Sequence, residues 1–146
     1  MATFSRNVTV DWKGSLLEGS GTAKAGTGAF SLPVTFPRRI GEPQGSTSPE
    51  ELIAAAHAVC YAMVINAATG KKGGSIDKTS VTCTVTADKG DSGIKITTSK
   101  LVVVVEGLKG IDAAAFDAHA KEAEKGCPVS GALRGNVEIL VETTVK

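Results

Sequence analysis

Ser48-Pro49-Glu50-Glu51-Leu52-Ile53-Ala54-Ala55-Ala56-His57-Ala58-Val59-Cys60 is the stretch on which the fold turns. Serine is a preferred helix N-cap, proline suits the first helical position, and Glu51 stands where a capping box places its carboxylate. A helix of roughly twenty residues is predicted from there, ending near Thr69-Gly70. Between Leu52 and Ala68 only His57, Tyr61 and Asn66 carry polar side-chain groups, so nearly every face is apolar. Seventeen residues, seven of them alanine, are too short and too weakly apolar for a bilayer span, so no membrane is expected as a partner. The helix is expected to be buried on all sides. One small domain cannot wrap it so fully, which predicts a homodimer whose second copy covers the remaining face.

Outward from this helix the pattern is mixed α+β. Val8, Val10 and Trp12 alternate with polar residues, as a half-buried strand requires, and strands over about Leu16–Ala25 and Ala29–Phe36 complete an antiparallel meander. Pro37 through Ser48 reads as a loop, and irregular stretches of that length are commonly functional. Downstream of the helix, Val81–Ala87 and Ile94–Glu106 read as two long strands joined through the turn-rich Asp88-Lys89-Gly90-Asp91-Ser92-Gly93. Asp112 caps a second helix that ends near Lys125 with Gly126 behind it. Cys127-Pro128-Val129-Ser130 opens a short helical turn, and Val137–Val145 closes the chain as a strand. The 146 residues are expected to form one domain, 1–146, large enough to bury about two thirds of the unfolded surface.

Sixteen basic and fifteen acidic residues leave a net charge of +1, with no basic run to hold a phosphate backbone, so nucleic acid is not an expected partner. Met1-Ala2-Thr3-Phe4-Ser5-Arg6 lacks the apolar core of a secretory signal, which makes the cytoplasm the expected compartment. There the three cysteines should be free thiols, and any disulfide would be transient or catalytic.

Cys127, directly before a proline at a helix start, stands where unpaired amides and the helix dipole favour a thiolate. Cys60 taken alone reads as a small core residue whose pKa burial raises, unless a cation comes near. Arg38 and Arg39 are candidates for that cation, and Glu50 could orient whichever of them points inward. Glu50 lies ten residues before Cys60, about 15 Å along one helix, so the two cannot meet within one subunit. An antiparallel two-fold pairing of the helices would instead carry Glu50 of one subunit toward Cys60 of the other. Cys83 reads as a packed strand residue. His57, one turn before Cys60, is a possible base or ligand, although a satisfied core histidine accounts for it better, and His119 is expected at the surface. A zinc site from His57, Cys60 and Cys127 matches no standard ligand spacing, so neither metal nor other cofactor is expected.

Ser48 through Cys60, followed far downstream by Lys125-Gly126-Cys127-Pro128-Val129-Ser130, resembles the OsmC/Ohr family of thiol peroxidases, and the likeness spans nearly the whole chain. The histidine before the first cysteine and the arginine loop look more like the OsmC branch. The resemblance implies an intertwined homodimer with antiparallel β-sheets wrapped around two long central helices. It also implies peroxidatic Cys60, resolving Cys127, Glu50 as the site glutamate and Arg39 as the activating arginine. Arg38 stays possible, since the loop Arg39-Ile40-Gly41-Glu42-Pro43-Gln44-Gly45 is one residue longer than is usual in the family. The implied activity is reduction of organic hydroperoxides, and more weakly of hydrogen peroxide, through a Cys60 sulfenic acid and a Cys60–Cys127 disulfide restored by a lipoyl-type or other dithiol. A rival from another class is a non-enzymatic protein on the same fold that binds an apolar ligand or senses redox state.

Overall fold

The computed structural model describes residues 2–146, which contacts within the chain group into two compact units divided between Leu52 and Ile53. The first unit carries an antiparallel sheet of β1 (Val8–Lys13), β2 (Ser20–Ala25) and β3 (Ser31–Val34) in that order. Trp12 pairs opposite Gly21, and a Cβ on Gly21 would come within 2.6 Å of the indole, so glycine lets the ring lie across the neighbouring strand. The second and third strands are shorter than their patterns predict. Ser15 accepts from the amide of Gly19 in a turn that occupies the predicted start of β2. Contrary to the expected half-burial, β1 is exposed along its whole length, with Val8 and Val10 more than half open to solvent.

The predicted loop after β3 opens with a helical turn, α1 (Phe36–Ile40). Thr35 caps it by accepting from the Arg38 amide at 3.2 Å, and Pro37 sits in its first turn. Threonine followed by proline is a helix-start signal in its own right. The long helix α2 (Pro49–Lys71) starts as expected, with Ser48 Oγ accepting from the Glu51 amide at 3.1 Å. The Glu51 carboxylate does not close a capping box, because it accepts instead from the Thr47 hydroxyl at 2.8 Å.

In the second unit, β4 (Lys78–Gly90) and β5 (Gly93–Glu106) form a long hairpin turning at Asp91-Ser92. The closing strand β6 (Glu138–Val145) joins the other edge of β5 in parallel, so this sheet is mixed where antiparallel pairing is expected. Between β5 and β6 lie α3 (Ala113–Glu124), capped by Asp112, and α4 (Pro128–Leu133). These intervening helices are what a parallel return requires. Leu101, Val103 and Val105 of β5, Tyr61 and Ile65 of α2, and Phe116 and Ala120 of α3 form one fully buried core together with Cys127.

Within a single chain α2 is not buried on all sides. His57, Tyr61, Ile65 and Thr69, spaced at one turn, are its buried residues, while Val59 and Met63 are 57% and 69% exposed. At 23 residues and a mean hydropathy of 1.6 over its most apolar window, α2 is long and apolar enough to cross a membrane by length and composition alone, against the expectation of a segment too short to do so. Its buried stripe, however, makes side-chain hydrogen bonds to β5, α3 and α4. Those bonds build it into the second unit.

Candidate active site

The turn between α3 and α4 brings Cys127 into the core beside α2, where Cys60 packs against it. Both are free thiols, Cys60 half-buried and Cys127 almost wholly buried. Burial pushes the Cys60 thiol above its ordinary value, the Val129 amide opposes that by hydrogen-bonding its sulfur, and the Cys127 side chain raises it again by hydrogen bond and charge. Cys127 is thus close enough to act on the Cys60 proton. Sequence reasoning places the benefit of the α4 helix start on Cys127. In the structure Cys127 occupies the N-cap with its side chain capping nothing, and the Val129 amide of the first turn lowers the Cys60 thiol against the larger effect of burial.

Arg39 and Glu50 meet in the first unit. Arg39 Nε donates to both carboxylate oxygens at 3.1 and 3.2 Å, and its Nη2 donates to Oε1 at 2.7 Å. This fork, together with the start of α2, holds the Glu50 carboxyl below the usual carboxylate value, the Arg39 bond being the largest cause and burial opposing it. Arg38 turns elsewhere, donating from Nη1 to the Gln44 carbonyl and the Ser46 hydroxyl at 3.4 Å each. The guanidinium of Arg39 also borders a cavity of about 260 Å³ whose walls include Trp12, Val34, Phe36 and Leu52. A cation at the edge of an apolar pocket suits a ligand with one polar end and a hydrocarbon body.

His57 is fully buried, with Nδ1 2.6 Å from Ser99 Oγ on β5 and Nε2 2.8 Å from Ser130 Oγ on α4. Burial lowers its pKa, against a weaker opposing pull from the Glu124 charge, so the ring is neutral and donates through one nitrogen while accepting at the other. Cys83 reaches the same cluster, its sulfur 3.2 Å from Ser99 Oγ. Neither Ser99 nor Ser130 stood out in the sequence, where nothing distinguishes a buried serine from a solvated one. His119, expected at the surface, is 5% exposed and hydrogen-bonds Thr69 at 3.0 Å. Its spacing from Phe116 and Ala120 on the buried face of α3 is the signal that would have found it. Among the described residues no three His, Cys, Asp or Glu side chains gather into a group that could hold a metal.

The OsmC-like protein family matches residues 41–142, a span that holds Glu50, both site thiols and the His57 cluster. Peroxiredoxin OsmC of Escherichia coli (strain K12) is 35% identical over 138 residues, covering 94% of this chain and 95% of that protein. The organic hydroperoxide resistance protein OhrB of Bacillus subtilis (strain 168) is 28% identical over 143 residues, covering 97% of this chain and 98% of its own. The crystal structure of Bacillus subtilis OhrB superimposes with a TM-score of 0.73 at 26% identity, over 94% of this chain and 98% of that one. A family match across most of the chain, a relative at this identity along nearly its whole length, and the same fold in a solved structure together make the chain a member of the OsmC-like protein family.

Proposed function

We propose that this protein is a cysteine-based peroxidase that reduces organic hydroperoxides to alcohols, with Cys60 as nucleophile and Cys127 as resolving thiol. The observation that carries the reading is the packing of half-buried Cys60 against the core that holds the buried thiol of Cys127, in a setting otherwise apolar. The Cys60 thiolate attacks the terminal peroxide oxygen, the O–O bond breaks, and the alkoxide leaves, taking a proton to become the alcohol. The Cys60 sulfenic acid then condenses with the Cys127 thiol, releasing water and forming a disulfide. A dithiol, lipoyl-type or other, restores both thiols by two exchanges and is itself oxidised to a disulfide. The apolar surroundings favour organic peroxides over hydrogen peroxide, in keeping with the names of the relatives.

Cys60 still needs a cation to offset its burial. In the proposed homodimer the second copy covers Val59 and Met63 and supplies the Arg39–Glu50 pair to Cys60 of the first. A guanidinium held by a carboxylate stabilises the thiolate and polarises the peroxide, and the pocket beside Arg39 takes the hydrocarbon end of the substrate. The cytoplasm, where a reduced dithiol pool is maintained, is the compartment that suits the cycle.

The test is consumption of an organic hydroperoxide with a dithiol reductant by the parent protein and Cys60→Ser. Loss of turnover with the fold and assembly intact is the expected result. Unchanged consumption overturns the reading and favours the rival, a protein that binds an apolar ligand without turning it over. In Cys127→Ser, a single equivalent of peroxide should leave one oxygen on Cys60 that a sulfenic-acid probe captures.

A further inference from the structure

The proposed cycle uses two cysteines and an ion pair, yet the most fully connected polar group in the second unit is none of these. His57 is completely buried and both of its ring nitrogens are occupied by serine hydroxyls, Ser99 at 2.6 Å and Ser130 at 2.8 Å. With both nitrogens engaged and the ring held neutral by burial, His57 has no free position from which to take a proton from either thiol. Its placement suggests a different task. His57 stands one turn before Cys60 on α2, and Ser130 stands one turn after Cys127 on α4. The His57–Ser130 bond therefore bridges the same two helices as the facing thiols, one turn away from them.

Resting on the peroxidase reading for its purpose, the inference is this. We propose that His57 is a positioning residue that holds α4 against α2 through Ser130, keeping Cys127 against Cys60 so that the two sulfurs can join. Three features of the local structure support it. The α4 turn is only six residues long, and its N-cap makes no side-chain bond of its own, so it needs an outside anchor. Its far end is tied by Arg134 to Glu124 of α3 at 2.5 Å and its start by the Cys127 amide to the Glu124 carbonyl at 3.0 Å, so both ends are held to α3 and Ser130 supplies the side-chain bond to α2. Ser99, on the central strand of the sheet, fixes the imidazole from behind, and Cys83 packs on that serine in turn. The imidazole is thus braced against the sheet while it reaches the helix, as a ring that sets a distance must be.

Side-chain geometry separates this role from plain core filling. Glutamine places an amide where Nε2 lies and can keep the bond to Ser130, whereas asparagine places one where Nδ1 lies and keeps only the bond to Ser99. The measurement is the equilibrium between the dithiol and the Cys60–Cys127 disulfide in buffers of reduced and oxidised dithiothreitol, read by alkylation and mass spectrometry on the full chain, with no peroxide present. His57→Asn and Ser130→Ala should each lower the equilibrium constant for closing the disulfide by about tenfold, while His57→Gln stays within about threefold of the parent. Should His57→Asn fail to fold, Ser130→Ala, which deletes one hydroxyl, decides the matter. Equal closure in the parent and Ser130→Ala overturns the proposal, as does a His57→Gln that falls as far as a folded His57→Asn, or a parent that forms no such disulfide. A protein that shows the expected variant pattern yet consumes no peroxide overturns the peroxidase reading and upholds the clamp.

Discussion

β5 buries Ser99, Leu101, Val103 and Val105 on one face, whereas β1 leaves Val8, Val10 and Trp12 open to solvent although they too share one face. In sequence β1 alternates more cleanly than β5, whose Leu101–Val105 is an unbroken apolar run. They also differ in what the same chain lays over them, since helices cover β5 in the second unit while Val10 and Trp12 of β1 line an open cavity in the first. The chemistry divides along the same line: the thiols sit in the covered unit, and the guanidinium that would activate one of them sits in the uncovered unit. In the first unit an apolar stripe lies open beside the Arg39–Glu50 ion pair, and in the second unit Val59 and Met63 of α2 are open as well, as the proposed homodimer requires. The largest effect is expected on α2. Met63→Glu would place an unpaired carboxylate in the proposed dimer contact and should weaken association by about 4 kcal/mol, close to a thousandfold. Sedimentation that finds equal association for parent and variant would remove the second copy from the site.

The next effect contrasts the two sheets directly. In the Met63→Glu background, where the chain stands alone, Leu101→Ala should cost about 3 kcal/mol of folding stability through lost burial and a cavity. Val10→Ala, 55% exposed in the single chain, should cost about 0.5 kcal/mol or less in the same denaturant titration. Similar losses would mean that β1 is covered in the isolated chain after all. Slightly smaller is the effect expected from the first unit's contribution to catalysis. Arg39→Ala should lower kcat/KM for an organic hydroperoxide by about a hundredfold, and Arg38→Ala by no more than about threefold. The reverse order would hand the activating role to Arg38, whose own contacts run to Gln44 and Ser46.

Much of the second unit was legible because its signals are local. Ser48-Pro49 and Asp112 announce two helix starts, Cys127-Pro128 a third, and the alternation from Val81 to Glu106 announces the hairpin. What escaped depends on partners distant in sequence. No pattern within Val137–Val145 says whether it returns parallel or antiparallel, since that is set by the helices before it. His119 was misplaced because Ala, Lys and Glu dominate its helix, although its one-turn spacing from Phe116 marks the buried face. The α1 turn was hidden by weighing Pro37 as a loop residue when, after Thr35, it is a helix opener. For the candidate site, local context pointed to Cys127, Glu50 and one of Arg38 and Arg39, and the family resemblance added Cys60 and favoured Arg39, while Ser99 and Ser130 could not be found from sequence. Their meaning comes only from the imidazole between them.

The smallest expected effect sharpens the contrast through pH. Glu50 is the one carboxylate of the proposed site, and Arg39 holds its pKa below the ordinary value of 4.5. A depressed carboxylate contributes stability that is fully present above its unfolded value and is lost as pH falls through the folded one. The side chains of Arg39 and Glu50 are 26% and 15% exposed, which leaves the pair partly screened and its worth at about 1 kcal/mol. Glu50→Gln should therefore be about that much less stable than the parent in urea at pH 7. The gap should persist down to pH 4.5 and close below it, as the parent's own carboxylate takes up a proton. His57 provides the opposite case within the second unit, being neutral already and lowered by burial. Acid must charge it in a closed space, so below its ordinary value of 6.5 the second unit, but not the Arg39–Glu50 pair, should begin to lose stability. A gap between parent and Glu50→Gln that closes near pH 6.5 instead would tie the ion pair to the histidine and erase the distinction between the two units.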